Sequence, residues 1–217
     1  MKGSITILLV AVLIATPVLF SNANAEGLIG VKGGLTVSDW WGKDSGGPDM
    51  KGGFVGGVFF THMLNTKLLL FENIGIQPEL LFHRKGVKEV YMDVELTWTL
   101  DYLEIPILFK AEIPPTASSS KGYLLIGPAF AFNLNSKIRA EYLGESVEED
   151  AGDLTKSMDI GFVLGLSASF DMGSFDLLFD LRYTLGLLTI DDALGETVRN
   201  YTISLIVGVA LPFGSTS

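Results

Sequence analysis

The 217-residue sequence contains no cysteine, and its only histidines are His62 and His83. The absence of cysteine excludes disulfide bonds, thiol catalysis and lipid attachment through an N-terminal cysteine. Cationic residues are also scarce. The chain has 15 Lys and Arg residues and 25 Asp and Glu residues, which gives a formal net charge of −10. Because nucleic-acid binding requires clustered Lys and Arg, this balance disfavours a nucleic-acid partner.

A long apolar run is missing from most of the chain. A membrane-spanning helix needs roughly 20 consecutive apolar residues, and the only comparable stretch is residues 5–20. Nevertheless 48% of the residues are hydrophobic, 18% are charged, and the mean hydropathy is +0.40. The remaining apolar residues alternate with polar residues and with the 25 glycines. This distribution disfavours a helical membrane protein and favours β-structure.

Residues 1–25 have the features of a cleavable secretory signal peptide. Lys2 supplies the positive start, and residues 5–15 form the apolar core. An A-x-A cleavage site ends at Ala25, so we expect Glu26 to be the mature N-terminus. An uncleaved anchor helix is the alternative, and the short apolar core weighs against it.

The rest of the chain, residues 26–217, is predicted to be one domain in which the hydrophobic period is two. This period indicates strands with one apolar face, and it is clearest in the last three predicted strands. A soluble sandwich would turn its large apolar side chains inward, whereas a transmembrane barrel turns them toward lipid. Predicted outward residues of the last two strands are Phe175, Leu177, Phe179, Leu181, Tyr183 and Leu185, then Tyr201, Ile203, Leu205, Val207, Val209, Leu211 and Phe213.

Eight such strands are predicted, and most reach the roughly 9–11 residues that cross a bilayer at a tilt. Short links are expected after the second, fourth and sixth strands. The other links are longer or more polar, notably residues 39–50, 141–156 and 188–197. Outer-membrane barrels alternate short periplasmic turns with longer outer loops in this way. The sequence therefore predicts an all-β fold, an eight-stranded antiparallel up-and-down transmembrane β-barrel.

Two details of the barrel wall are predicted as well. Within residues 93–112 the apolar residues change from even to odd positions. Even residues from Val94 to Tyr102 are predicted outward, and then odd residues from Leu103 to Phe109. This change predicts a β-bulge near Tyr102 and Leu103. Trp40, Trp41 and Trp98 are expected at the lipid–water interface, where amphipathic rings are enriched.

Charged residues on the predicted inward faces are the candidate site. An eight-stranded barrel leaves an interior just wide enough for side chains, and an unpaired buried charge costs several kcal/mol. We therefore expect a paired structural network, with Arg182 beside a carboxylate and Lys110 beside Glu104 or Glu79. A proton or solute path is the alternative. The inward set is Lys32, Glu79, Glu104, Lys110, Asp159, Asp176, Asp180 and Arg182.

Enzymatic and metal chemistry is not expected. His62 is predicted beside a periplasmic turn and His83 near an outer strand end, where neither has an evident catalytic partner. We therefore predict no catalytic residue, no metal and no cofactor. Residues 141–153 carry six carboxylates without the spacing of an EF-hand. A solvated acidic loop is the prediction there, with partner or divalent-ion binding as the alternative.

Seven short stretches occur in a recognisable order along the chain: GVKGGL (30–35), QPELL (77–81), YLEIPILFK (102–110), GP (127–128), DIG (159–161), DLRY (180–183) and GL (186–187). In this order they resemble the PorT-like family of bacterial outer-membrane β-barrel proteins. The resemblance covers nearly the whole chain after residue 25, and it implies an outer-membrane barrel from a Gram-negative, Bacteroidetes-like bacterium. It implies no single activity. Many outer-membrane barrels end their last strand in an aromatic residue, whereas here four residues follow Phe213.

These observations predict a structural or interaction protein of the outer membrane, with a narrow lumen filled by side chains. Its expected partner is outer-membrane lipid, and a protein that meets the outer loops is a candidate second partner. A small-solute channel and a soluble, exported lipocalin-like binder are the alternative functions.

Overall fold

The computed structural model describes residues 27–43, 49–64, 66–71, 73–92, 94–114, 119–191 and 197–213. The predicted cleavage site between Ala25 and Glu26 lies outside these residues, so signal-peptide cleavage stays a prediction. Within them, no helix has the length and apolar character needed to cross a membrane.

The described chain consists of antiparallel strands, and eight of them close into a ring. The order around the ring is β1, β2, β3, β4, β5, β7, β8 and β9, with β9 paired back onto β1 and β4 onto β5. This confirms the predicted eight-stranded up-and-down barrel. The short strand β6 pairs with β5 outside the ring. The bounds are β1 (Gly27–Gly42), β2 (Asp49–Met63), β3 (Ile74–Tyr91), β4 (Val94–Ile113), β5 (Ser120–Tyr142), β6 (Glu145–Asp150), β7 (Met158–Asp171), β8 (Asp176–Gly186) and β9 (Val198–Phe213).

The barrel has an apolar outside and a polar inside. Leu205 is 65% exposed and Leu35 is 75% exposed, whereas Ser204 beside Leu205 is 2% exposed. Asp180 and Arg182 are buried, and the neighbouring Leu181 is exposed. Large apolar residues therefore face outward, as the alternation in β7, β8 and β9 predicts for a lipid-facing surface.

The two ends of the barrel differ. At the end called here the turn end, Gly27 and Phe213 lie together with the links after β2, β4 and β7. At the opposite end, called the loop end, β3 and β4 are joined through residues 92–93 and β5 continues to Tyr142. The link after the third strand is expected to be longer or more polar than the turn links, but it consists of residues 92–93 only, because β3 and β4 extend further than the hydrophobic period indicates. The link after β2, residues 64–73, is longer than expected.

The predicted phase slip in β4 is wrong, although the register does shift at the expected place. Tyr102 pairs with Asn133 while Asp101 pairs with Asn135, so the extra residue is Leu134 of β5. β4 keeps its even residues on the lumen side throughout, and Tyr102 is 1% exposed. The slip was predicted because large apolar residues at this level were assigned to lipid, whereas they fill the lumen.

Two of the three tryptophans also lie elsewhere than predicted. Trp40 packs against a buried lumen cluster at the loop end, and its ring centroid is 5.5 Å from that of Trp98. Both rings therefore close the barrel from within instead of facing the membrane interface. Trp41 is on the outside, where the guanidinium of Arg199 lies 4.9 Å from its ring centroid.

The lipid-facing assignment predicts different tolerance at two neighbouring positions of β9. Leu205→Arg places a charge in the hydrocarbon and should cost about 2–4 kcal/mol or block assembly. Ser204→Thr adds one methyl group in the lumen and should cost much less. Heat-modifiable migration on gels, followed by urea unfolding, measures both. Equal tolerance at Leu205 and Ser204 would contradict the assignment of faces.

Candidate functional site

A charged cluster crosses the middle of the lumen. Arg182 of β8 donates to Glu79 of β3 through Nη1 at 2.6 Å and Nη2 at 2.8 Å. These strands lie on opposite walls of the eight-stranded ring. Lys32 of β1 also contacts Glu79, at 2.9 Å, and contacts Asp180 at 3.0 Å. Arg182 reaches Asp180 at 2.6 Å. All four side chains are buried, so the cluster ties three strands together across the barrel axis.

Lys110 enters this cluster through an amide instead of a carboxylate. Its Nζ donates to Gln77 Oε1 at 3.2 Å, and Gln77 Nε2 donates to Glu79 at 2.6 Å. The ammonium group also lies 4.2 Å from the ring centroid of Tyr123, a cation–π distance. The expected ion pair of Lys110 with Glu104 or Glu79 is therefore wrong. Pairing across strands depends on barrel closure, which sequence spacing does not report.

A second polar group lies closer to the loop end. Lys85 donates to Glu104 at 2.5 Å, and His83 Nδ1 is 3.2 Å from the same carboxylate oxygen. Because a carboxylate accepts, Nδ1 carries the proton of this contact. His83 is 2% exposed. The prediction that His83 lies near an outer strand end without a partner is therefore wrong, and Lys85 was missed altogether.

Asp159 belongs to a third set of contacts at this level. Asn200 Nδ2 lies 3.4 Å from both Asp159 Oδ2 and Tyr102 Oη. Tyr102 of β4 and Asn200 of β9 again belong to opposite walls. Asp176 differs from the rest of the predicted set, because it lies at the turn end and accepts from Ser169 at 3.1 Å.

The charges of the two levels complement each other. The middle cluster holds three cations, Lys32, Lys110 and Arg182, and two carboxylates, Glu79 and Asp180; the next level holds Lys85 with Glu104 and Asp159. The formal sums are +1 and −1, so these two levels together carry no net charge. Toward the loop end an apolar cluster of Leu100, Tyr102, Ala131, Ile190 and Val198, with Trp40 packed against it, covers these charges. Ion pairs and an apolar cover therefore fill the lumen in layers.

The loop end carries a protruding sheet made of residues 87–91, 94–100, 136–142 and β6, called here the loop-end sheet. Of residues 141–153, where a solvated acidic loop is predicted, residues 141–142 and 145–150 belong to this sheet, and they are exposed to solvent. Leu96, Ala140 and Val147 pair in one row and share the lumen-side face. Val147 is 63% exposed and Tyr142 is 51% exposed. The sheet thus presents apolar side chains to solvent on this face.

The opposite face of the loop-end sheet is charged. Glu148 of β6 accepts from Lys137 at 2.5 Å and from Arg139 at 2.9 Å. These hydrogen bonds, with Lys137 the larger contributor, hold the pKa of the Glu148 carboxyl below its ordinary value. Lys137 and Arg139 reach this face because the extra residue Leu134 inverts the phase of β5.

No metal site is evident in the described part of the chain, where no three His, Asp or Glu side chains gather. Of the six carboxylates in residues 141–153, five lie on the loop-end sheet and are divided between its two faces, and Asp153 lies in the 3-10 helix Gly152–Leu154. They do not converge on one point.

The comparison with family models agrees with this architecture. Residues 21–192 match the model described as "Outer membrane protein beta-barrel domain". The chain belongs to this family. It is therefore a Gram-negative outer-membrane protein, and the exposed apolar belt is its lipid-facing surface. No curated protein matches the sequence.

Several solved outer-membrane proteins also match the chain, each at low similarity. A major outer membrane protein from Thermus thermophilus matches with a TM-score of 0.49 and 11% identity, over 87% of this chain and 99% of that chain. Ail, the attachment invasion locus protein of Yersinia pestis, matches with a TM-score of 0.41 and 15% identity, over 86% and 99%. The outer membrane enzyme PagL matches with a TM-score of 0.40 and 10% identity, over 82% and 97%.

The middle cluster predicts an unequal effect of two Glu→Gln changes. Glu79→Gln leaves Asp180 as the one described carboxylate in contact with Lys32 and Arg182. Because excess positive charge then stays buried, the change should lower the free energy of unfolding by roughly 3–5 kcal/mol. Glu148→Gln removes a solvent-exposed partner of Lys137 and Arg139 and should cause little change. Urea unfolding of the protein folded in detergent micelles measures both. A Glu79→Gln protein as stable as the wild type would show that the cluster does not hold the barrel together.

Proposed function

We propose that this protein is an outer-membrane anchor that presents its loop-end sheet to an extracellular protein partner. The observation that carries the proposal is the free edge of β6. β6 pairs with β5 through Glu145, Val147, Glu149 and the residues between them. Its other edge has no strand partner among the described residues. Such an edge offers backbone N–H and C=O groups to an incoming strand.

The side chains around this edge indicate the kind of partner. β6 carries four carboxylates within six residues, at Glu145, Glu148, Glu149 and Asp150. Of these four carboxylates, only Glu148 forms an ion pair with a described residue. Val147 adds an exposed apolar contact beside Tyr142. An extended segment that alternates basic and apolar residues would match both the charge and the two-residue period.

Binding of a synthetic probe tests this proposal. We expect wild-type protein in lipid nanodiscs to bind a short labelled peptide of alternating lysine and valine more tightly than its glutamate–valine counterpart. Val147→Lys should weaken this binding on the order of tenfold, because like charges across an interface repel. Met172→Lys is the matched control, since Met172 is 56% exposed in the link after β7 at the other end of the barrel. Fluorescence anisotropy measures all three proteins.

Equal binding of the lysine and glutamate peptides, or an equal effect of Val147→Lys and Met172→Lys, would contradict the proposal. Folding of each variant is checked independently by its heat-modifiable migration.

The alternative functions are less well supported. A small-solute channel needs an open path, whereas the contact of Arg182 with Glu79 crosses the axis. A soluble lipocalin-like binder does not fit the outward apolar belt. We also infer that the barrel is not an enzyme, because His83 is bound to Glu104 in the buried lumen, beneath the apolar cover. No substrate can approach it there without opening the barrel.

We further infer that the chain is a PorT-like member of the family, from a Bacteroidetes-like bacterium. The matching stretches at 102–110 and 180–183 include the lumen residues Glu104, Lys110, Asp180 and Arg182. These two stretches therefore reflect the packing of side chains inside the barrel. They say nothing about a role in protein secretion.

A further inference from the structure

A groove runs along the outer wall of the barrel where β2 is irregular. Between Met50 and Val55, β2 contains one residue more than the facing part of β3. A Cβ atom on Gly53 would lie 2.2 Å from the carbonyl oxygen of Arg84, so this close approach requires glycine. At Gly52 a Cβ atom would meet nothing within 4 Å. The irregularity thus leaves open space on the outside of the wall.

The groove is lined mainly by apolar groups that face the membrane. Its volume is about 630 Å³, and its walls include Leu35, Val37 and Phe54. These three side chains are 75%, 40% and 45% exposed on the lipid-facing surface. The shape and surface therefore suit a hydrocarbon chain.

A charged pocket adjoins the groove toward the loop end. It has a volume of about 320 Å³ and is lined by the charged face of the loop-end sheet. Its cations include Lys88, Lys137 and Arg139, and its carboxylates are Glu95, Glu141 and Glu148. Lys51 and Thr99 line both spaces. One end of a continuous depression is thus apolar and lies at the lipid belt, and the other end is charged and lies at the loop-end rim.

Lys51 is the cation in this depression that lacks a carboxylate. Lys88 is 2.6 Å from Glu95, and Arg84 is 2.7 Å from Asp101. Lys137 and Arg139 share Glu148. Lys51 Nζ donates to the Thr99 hydroxyl, and no described carboxylate lies within 4.0 Å of it. Its charge remains available to an anionic ligand at the junction of the apolar and polar spaces.

We infer that a membrane lipid with a phosphorylated headgroup binds in this depression. The phosphate lies against Lys51 and the Thr99 hydroxyl, and one acyl chain follows the groove over Gly52. Charge-assisted hydrogen bonds from Lys51 recognise the phosphate. The groove recognises the hydrocarbon. This contact with lipid is separate from the partner edge on β6.

Native mass spectrometry of the detergent-purified protein tests the headgroup contact. Lipid A that carries its phosphates and dephosphorylated lipid A are the two probes. We expect the wild type to retain the phosphorylated form about tenfold better, and Lys51→Gln to remove most of this preference, because a hydrogen bond to a charged group is lost. Lys67→Gln is the control, since Lys67 is exposed at the turn end. Equal retention of both probes by the wild type would overturn the inference.

A second pair of variants tests the acyl groove. Gly52→Leu fills the groove without a backbone clash, and it should reduce retention of phosphorylated lipid A severalfold. Gly122→Leu is matched to it, because a Cβ atom there also meets nothing within 4 Å and Gly122 lies near the turn end of β5. Inorganic phosphate alone should not displace the lipid. Full displacement by phosphate, with Gly52→Leu neutral, would show an anion site that does not hold lipid and would overturn the inference.

Discussion

The closure of a narrow ring controls the rest of this structure. With eight strands, the interior has room for side chains and little else. Charged residues that point inward must therefore find partners on the opposite wall. Arg182 meets Glu79 in this way, and Asn200 meets Tyr102. Because each contact joins strands half a ring apart, the polar interior also fixes the register of the wall around it.

The same closure supports the proposal that the protein acts as an anchor. Once the lumen is filled, function has to be exercised on the outer surfaces. The strands β3, β4 and β5 continue past the barrel and carry β6 with them. The single extra residue Leu134 turns the charges of β5 to one face and leaves an apolar face on the other. An irregularity in β2 makes the lipid-facing groove in a similar manner.

Period-two alternation was sufficient to predict the faces of β7, β8 and β9. It failed in the loop-end half of β4. There the large side chains of Leu100 and Tyr102 fill the lumen, whereas elsewhere such side chains face lipid. The inward charges Glu79, Asp180 and Arg182 could be read from their phase, whereas their partners could not. Lys85 and His83 were missed because pairing with Glu104 depends on three-dimensional register. The bulges at Leu134 and near Gly53 leave only weak signals in the sequence.

The account depends most directly on the lumen being filled. Single-channel recording of the purified protein in planar bilayers measures this, with heat-modifiable migration confirming that the inserted barrel is folded. We expect folded protein to produce no stable conductance steps above those of the bare bilayer. Discrete, long-lived steps from folded protein would show that the contact of Arg182 with Glu79 does not close the axis, and would contradict the account.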